Sequence, residues 1–162
     1  MDITFLVPGM PFTGETLGGP TSLGGSETMG ALLAKELAFR GHRVRVFTAS
    51  DKAQDCHGVL YHPMGQSSPA APFGDHFHAW AERTPQDVLV IQRIPHAFHR
   101  PTAAKVNLWW THDLGLKRHL PQIHSQVWNV DAVLAVSAFH KKQLGEVYGI
   151  GLDCIGIVPN GL

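Results

Sequence analysis

The chain has 162 residues, which predicts a single compact domain that is large enough to bury its own hydrophobic core. Hydrophobic residues make up 44% of the sequence and charged residues 16%, an ordinary globular balance that excludes extended disorder. Thirteen Lys and Arg residues balance thirteen Asp and Glu residues, so the electrostatic attraction that holds a protein to nucleic acid or to an anionic membrane surface is not expected.

Short runs rich in β-branched residues recur along the chain, at intervals that leave room for helices between them. They predict strands at residues 3–7, 44–48, 88–91, 106–110, 133–136 and 155–158. Several of these runs are continuously apolar, which is typical of strands covered on both faces of a sheet. Residues 62–74 are rich in Pro, Ser and Gly and predict an exposed loop.

Helices are predicted at residues 26–40, 75–82, 115–128 and 137–148. The first is the clearest, because Ser26 is a suitable cap, apolar residues recur every four positions, and Gly41 is suited to end the helix. In the last helix, Ser137 is the predicted cap and Gly149 the predicted end. Strands and helices therefore alternate along most of the chain.

This alternation predicts an α/β fold, a Rossmann-like three-layer sandwich with a mostly parallel sheet that spans residues 1–162 as one domain. Cys56 and Cys154 are far apart in sequence and form no CxxC pair, so a redox motif or a disulfide framework is not expected. No apolar run is long enough to span a bilayer, and the first residues predict a strand rather than a signal peptide. We therefore expect a cytoplasmic protein.

In an open parallel sheet, ligands bind beyond the carboxyl ends of the strands. The first predicted strand is followed there by residues 8–25, an 18-residue connection with six glycines that leads into the first helix. Gly24, Gly25 and Ser26 open that helix, where unpaired backbone N–H groups suit a phosphate and glycines allow its close approach. The loop lacks a Walker motif and is too long for a dinucleotide-binding turn. The alternative is an exposed connection whose glycines only form turns.

Polar residues follow two further strands at the same predicted edge. Gln92 and Arg93 come after residues 88–91, and Ser137 comes after residues 133–136. Arg93 is suited either to bind a phosphate or carboxylate or to form a surface salt bridge. The sequence leaves both roles of Arg93 open.

Thr111, His112 and Asp113 follow the predicted strand that ends at Trp110. His112 is the best candidate for direct chemistry, because an imidazole donates a hydrogen bond to a substrate hydroxyl or transfers a proton near neutral pH. The alternative for His112 is a ring that hydrogen-bonds neighbouring backbone groups. Asp113 is suited equally to bind a ligand or to cap a following helix.

The chain contains eleven histidines, which raises the question of a metal site. No HExxH motif and no set of Cys and His residues at ligand spacing accompanies them, so we expect no metal. A hydrolase triad is not expected either, because the sequence has no GxSxG motif.

Four segments in chain order carry a resemblance to a known family. They are GGSETMGALLAKELAFRGHRVRVFT (24–48), NLWWTHD (107–113), NVDAVLAVSAFHKKQL (129–144) and IGIVPNGL (155–162). In this order and spacing they resemble the N-terminal half of a GT-B fold glycosyltransferase of the retaining family 4. The matching features are the Gly-Gly loop with its helix, the strand ending in a His-Asp pair, the strand with a terminal Ser, and the crossing to a second domain.

The resemblance implies two facing Rossmann-like domains with a nucleotide-sugar donor in the cleft between them. It implies that Gly24, Gly25 and Ser26 approach the donor diphosphate and that His112 contacts the transferred sugar. The N-terminal domain would supply most of the site for an acceptor, which is a sugar, a lipid or a glycoside. Substrate contacts are expected from Arg93, Thr111, Asp113 and Ser137 as well. No metal, no other cofactor and no protein nucleophile are implied.

One feature of the family is missing from this sequence. No Glu is followed by another Glu eight positions on, as in the Glu-x7-Glu pattern of the family's C-terminal domain. We therefore expect this chain to be the N-terminal, acceptor-side domain without its donor-binding domain, inactive alone and, in a full-length form, peripheral to a membrane. Two alternatives stay open: a non-catalytic subunit that pairs with a separate donor-binding chain, and a Rossmann-type nucleotide-dependent oxidoreductase.

Overall fold

The computed structural model describes residues 1–17, 22–71, 73–93 and 95–160. In this part of the chain, eight strands form one sheet: β1 (Asp2–Leu6), β2 (Arg43–Thr48), β3 (Gln54–Cys56), β4 (Val59–Pro63), β5 (Gln86–Gln92), β6 (Ala104–Trp110), β7 (Ala132–Ala135) and β8 (Ile155–Ile157). The α-helices are α1 (Gly25–Phe39), α2 (Asp75–Arg83), α3 (Leu120–Gln126) and α4 (Ala138–Tyr148).

The strand order is β3-β4-β2-β1-β5-β6-β7-β8. All neighbouring strands are parallel except β3 and β4, which form an antiparallel hairpin. The chain first builds outward from β1 through β2 to β4, and then crosses to the other side of β1 to add β5 and the strands beyond it. The sequence order therefore reverses between β1 and β5, and ligands bind at the carboxyl ends of strands at such a point in open α/β sheets.

Helices cover both faces of the sheet, and each face has its own hydrophobic core. On one face, Ala31 and Ala34 of α1 pack against a cluster that includes Phe5 and Trp110. The other face carries Trp109 and the remaining three helices, through the side chains Phe77, Ile123 and Leu144. The predicted three-layer sandwich with a mostly parallel sheet is therefore confirmed.

All six predicted strands are present, with ends that differ by one or two residues from the prediction. The hairpin of β3 and β4 was not predicted, because its first strand is short and polar and its second overlaps the predicted loop 62–74. The two central residues of its turn, His57 and Gly58, both have positive φ angles of 54° and 76°. Such a turn matches the right-handed twist of the strands that it joins.

The start of α1 differs from the prediction. Gly24 is the N-cap and Ser26 lies inside the first turn, where its hydroxyl donates a hydrogen bond to Glu27 Oε2 at 2.9 Å. The prediction that Ser26 is the N-cap was therefore wrong. The helix begins one residue earlier, and the hydroxyl of Ser26 donates to the buried carboxylate of Glu27.

The predicted helix 115–128 is shorter in the structure. Residues 117–119 and 127–129 are 3-10 turns that flank α3. Pro121 lies in the first turn of α3, where its missing N–H group has no helical partner to lose. For α4, the predicted cap Ser137 and the predicted end at Gly149 (φ 69°) are both confirmed.

Candidate functional site at the carboxyl edge of the sheet

The open N-terminus of α1 lies at the point where the strand order reverses. Gly24 is the N-cap and has no side chain that could cap the first turn, whereas the N–H of Glu27, in the same turn, bonds to its own carboxylate. The first N–H groups of an α-helix have no partner within the helix. Apart from its chain neighbours and the backbone of its own helix, no atom of the described residues lies within 4 Å of a Cβ atom added to Gly25, so these residues leave this side of the turn open. The terminus can therefore bind an anion through the backbone N–H groups of Gly25 and Ser26.

The carboxylate of Glu27 joins this first turn to the loop after β1. Glu27 is only 3% exposed, and its Oε1 accepts a hydrogen bond from the backbone N–H of Met10 at 3.3 Å. A Cβ atom on Gly9 (φ 141°) would lie 2.0 Å from the same oxygen, so only glycine fits there. Burial opposes the charged form of Glu27, but hydrogen bonds from its own N–H, Ser26 and Met10, with the charge of Arg93, hold its pKa below the ordinary value.

Arg93 adopts a left-handed backbone conformation directly after β5, with φ of 67°. Two hydrogen bonds hold it there: its N–H donates to Trp110 O at 2.9 Å, and its carbonyl accepts from Trp109 Nε1 at 2.8 Å. Its side-chain Nε donates to Asp113 Oδ2 at 3.0 Å. A half-exposed pair of this kind adds at most about 1 kcal/mol to stability, so its main effect is to orient the guanidinium at the edge of the sheet.

The imidazole of His112 follows β6 and packs against the Trp110 ring, with 4.6 Å between ring centroids. Both ring nitrogens are buried and have no hydrogen-bond partner. Burial lowers the pKa of His112; the positive charges of Arg93 and His140 act in the same direction, whereas the carboxylates of Asp113 and Glu27 partly offset them. A neutral imidazole offers one N–H donor and one acceptor, and no described residue pairs with either.

The loop after His112 is fixed by side chains of α4. The carbonyl of Asp113 accepts from His140 Nε2 at 2.9 Å, and Thr111 Oγ1 donates to the same carbonyl at 3.2 Å. Gln143 bonds both backbone groups of Gly115, at 2.8 and 2.7 Å. A rigid loop is therefore held next to His112.

The remaining predicted contact residue is Ser137. Its hydroxyl accepts the backbone N–H of His140 at 3.1 Å and so caps α4. The O–H group of Ser137 can still donate to a ligand, but its acceptor role is taken by the helix.

A cavity of about 270 Å³ opens on the other side of this loop, on the face covered by α3 and α4. Its polar lining comes from Arg93, Thr111 and Asp113, and its apolar lining includes Trp109 and Tyr148. It is large enough for part of a small organic substrate.

The structure thus brings the first turn of α1 (Gly24, Gly25 and Ser26) to the carboxyl edge of the sheet, together with Arg93 and His112, which both interact electrostatically with Glu27. Sequence reasoning did not assign a site role to Glu27, and it did not find His140 or Gln143, which position the loop. In residues 1–17, 22–71, 73–93 and 95–160, no group of three or more His, Cys, Asp or Glu side chains is arranged to hold a metal ion. No helix in the same part of the chain has the length and apolarity needed to cross a membrane.

Two comparisons with known proteins support the fold and identify the family. The sequence model of Glycosyltransferase Family 4 matches residues 23–162. A crystal structure of a glycosyltransferase from Rickettsia africae ESF-5 is similar to this chain, with a TM-score of 0.67 and 20% sequence identity, which is a likeness of fold. The match covers 99% of this chain and 43% of the Rickettsia chain. No curated protein sequence matches the chain.

Proposed function

The chain belongs to glycosyltransferase family 4, and from this premise we propose that it is the N-terminal, acceptor-side half of an enzyme that transfers a sugar from a nucleotide-sugar donor to an acceptor hydroxyl, with retention of the anomeric configuration. The observation that carries the proposal is the N-terminus of α1 at the reversal point of the strand order, where Arg93 and the ring of His112 both interact electrostatically with Glu27 of the first turn. Together with the cavity beside the rigid loop, these groups suit the three parts of such a reaction.

The first part is the leaving diphosphate. The backbone N–H groups of Gly25 and Ser26 bind it, since the positive end of a helix dipole favours an anion. Arg93, oriented by Asp113, adds a positive charge nearby. Negative charge grows on the diphosphate as the glycosidic bond breaks, so these fixed groups stabilise the transition state more than the ground state. In this proposal no metal and no protein nucleophile takes part.

The second part is the transferred sugar, and the third is the acceptor. His112 binds a sugar hydroxyl through the free N–H or acceptor of its neutral ring. The acceptor enters from the side of the rigid loop, where the cavity presents Thr111 and Asp113. Its hydroxyl attacks the sugar on the face from which the diphosphate departs, which retains the configuration.

A second, donor-binding half is part of the proposal. The chain spans 43% of the length of the similar Rickettsia glycosyltransferase chain, so the rest of such a cleft lies outside this sequence. We expect the 162-residue chain to transfer no sugar by itself. The test follows donor hydrolysis and transfer to a panel of sugar, lipid and glycoside acceptors, with this chain alone and with a longer polypeptide in which a donor-binding domain follows it. Transfer by the longer polypeptide only is expected. Donor-dependent transfer by the chain alone would refute the need for a second half.

A non-catalytic subunit that pairs with a separately encoded donor-binding chain is the second candidate. The exposed side chain of Ile157 favours it, because this apolar residue is 44% exposed at the end of β8. Mixing the chain with a separately expressed donor-binding chain distinguishes the candidates. A stable complex that transfers sugar would favour the two-chain form, and no association would favour one continuous polypeptide.

A further inference from the structure

Three neighbouring side chains on the α1 face of the sheet carry buried polar atoms that no group of the described residues satisfies. Gln92 is 0% exposed, and neither its amide oxygen nor its amide nitrogen has a hydrogen-bond partner. Trp110 is 1% exposed, and its indole N–H has no partner. Both ring nitrogens of His112 are also buried and lack a hydrogen-bond partner among the described residues. Buried polar groups are almost always hydrogen-bonded in native proteins, so each exception calls for an explanation.

These side chains lie together because of the strand register. Gln92 and Trp110 are directly paired on β5 and β6, and His112 follows Trp110 by two residues, on the same face. The Trp110 and His112 rings are in contact, and the Gln92 amide lies against α1 at Gly30. A Cβ atom at Gly30 would come within 3.0 Å of both amide atoms, so the glycine leaves room for this polar group.

The chemistry of these atoms identifies the kind of ligand that they suit. An amide donates and accepts, an indole N–H donates, and a neutral imidazole does both, so the set carries no net charge. The nearby charges of Glu27 and Arg93 are opposite in sign. An unprotonated anion offers acceptors only and would leave the amide oxygen of Gln92 and one ring nitrogen of His112 unpaired, whereas a hydroxyl group both donates and accepts and so suits a mixed set.

We infer that Gln92 and Trp110, together with His112, form a recess that binds hydroxyl groups of the donor's sugar, and that Gln92 is a specificity-determining residue of the transfer. The inference rests on the proposed function, since that function supplies the sugar. The sequence analysis gave no ligand-binding role to Gln92 or Trp110, and the inference assigns both of them to sugar binding.

The chain offers a matched control on the same strand. Gln86 is 2% exposed, has both amide atoms unpaired, and lies on the same face of β5 as Gln92, about 20 Å away at the amino end. Met is close to Gln in size and has no strong hydrogen-bonding group. Gln92→Met and Gln86→Met therefore remove equivalent buried amides, one inside the recess and one far from it.

The experiment compares affinities of the wild-type chain and both variants for UDP-glucose, GDP-mannose and ADP-glucose, and for UDP, GDP and ADP, by NMR titration. The wild type is expected to bind one sugar nucleotide more tightly than its own nucleoside diphosphate, with a shift of the Trp110 indole N–H signal that the diphosphate alone does not cause. Gln92→Met is expected to reduce this preference at least tenfold, and Gln86→Met to leave it unchanged.

The outcomes separate the two proposals. A wild type that prefers a sugar nucleotide and a Gln92→Met variant with the same preference would overturn the recess alone. A wild type that prefers none of the sugar nucleotides over its diphosphate would overturn the recess, whereas the proposed function is tested separately, by sugar transfer with the longer polypeptide.

The Tm of the two variants, measured by thermal unfolding, provides a second test that needs no ligand. Both variants are expected to raise Tm by about 2–4 °C, because each removes an unpaired buried amide. A lower Tm in Gln92→Met alone would show that the amide is already satisfied within the fold and would overturn the inference. If Gln92→Met does not fold, the indole N–H signal of Trp110 in the wild type decides between the outcomes. The recess is contradicted if this signal does not shift specifically with the sugar nucleotide.

Discussion

Helices α1 and α4 both begin at the carboxyl edge of the same sheet, and their first turns are built in opposite ways. The first turn of α4 is closed, because the Ser137 hydroxyl accepts the N–H of His140. The ring of His140 is used on both sides: Nδ1 accepts from Val136 N at 3.4 Å, and Nε2 donates to Asp113 O at 2.9 Å. The N-cap of α1, Gly24, offers no side-chain cap, and among the described residues only the chain neighbours and the helix itself approach a Cβ position at Gly25.

The N-terminus of a helix at this edge of the sheet can therefore serve two different purposes. A helix whose first N–H groups are capped contributes to the stability of the fold, whereas a helix that leaves them free can bind an anion there. The two histidines nearest to these turns follow the same division. His140 is fully hydrogen-bonded, and His112 has no partner at either nitrogen. Stability and substrate binding are therefore expected to depend on different residues of this edge.

The largest expected effect comes from replacing each histidine in the enzyme that contains both halves. His112→Ala should reduce the transfer rate by about a hundredfold or more with little change in Tm, because its ring makes no hydrogen bond in the fold. His140→Ala should lower the free energy of unfolding by about 2 kcal/mol, since Val136 N and Asp113 O each lose a hydrogen bond to the buried ring. Steady-state kinetics and urea unfolding measure the two effects. A His112→Ala enzyme with an unchanged rate would return His112 to a structural role.

The next effect concerns Glu27, which is buried yet charged. Glu27→Gln should lower the free energy of unfolding by about 2 kcal/mol, because hydrogen bonds from Ser26 and Met10 to a charged acceptor are lost. The control is Glu36→Gln on the exposed side of the same helix, which should change stability by less than about 0.5 kcal/mol. Equal unfolding midpoints in urea for both variants would contradict the structural role given to Glu27.

A smaller pair of effects tests the two first turns directly. Gly25→Leu should weaken donor binding about tenfold, equivalent to about 1.4 kcal/mol, because the side chain fills the space before the N–H groups, while Tm stays unchanged. Ser137→Ala should lower stability by about 1 kcal/mol through loss of the cap and leave donor affinity unchanged. Calorimetric titration measures the donor affinity of each variant, and thermal unfolding measures the stability of each. If Ser137→Ala weakened donor binding as much as Gly25→Leu, the division between the helices would be wrong.

The smallest effect is the response of stability to pH. Burial lowers the pKa values of four histidines, His62, His96, His112 and His140, relative to 6.5. Below pH 6.5 the unfolded chain takes up protons that the folded chain does not, so stability is full above this pH and declines as the pH falls below it. Urea unfolding at pH 7.5, 6.5 and 5.5 measures the decline, which His140→Gln should reduce. A free energy of unfolding that stays constant from pH 7.5 to pH 5.5 would contradict the lowered pKa values of these histidines.

Most of the fold could be predicted from the sequence, because its strands are short apolar runs with helices between them. Continuous apolar runs such as Val88–Ile91 indicate a strand covered on both faces, and this pattern predicted six strands. The hairpin of β3 and β4 could not be predicted from such a pattern. Its strand Gln54–Cys56 has no apolar run, and it is held by pairing with β4.

The edge at which the site lies was predictable from the ends of the strands, but the partners of each side chain were not. An acidic residue in the first turn of a helix is ordinarily exposed, and only the close approach of Gly9 buries Glu27. Likewise, Gln143 bonds Gly115 across 28 positions of sequence, and no local signal predicts that contact. Contacts of this kind depend on the packing of distant elements.

The central claim is that the first turn of α1, and not that of α4, binds the diphosphate of the donor. Titration of the chain with inorganic pyrophosphate, followed by NMR of the backbone amides, tests this claim most directly. We predict large, saturable shifts of the Gly25 and Ser26 N–H signals and none for the His140 N–H, which is held by Ser137. Shifts at His140 without shifts at Gly25 and Ser26, or no saturable shift at either helix, would contradict it.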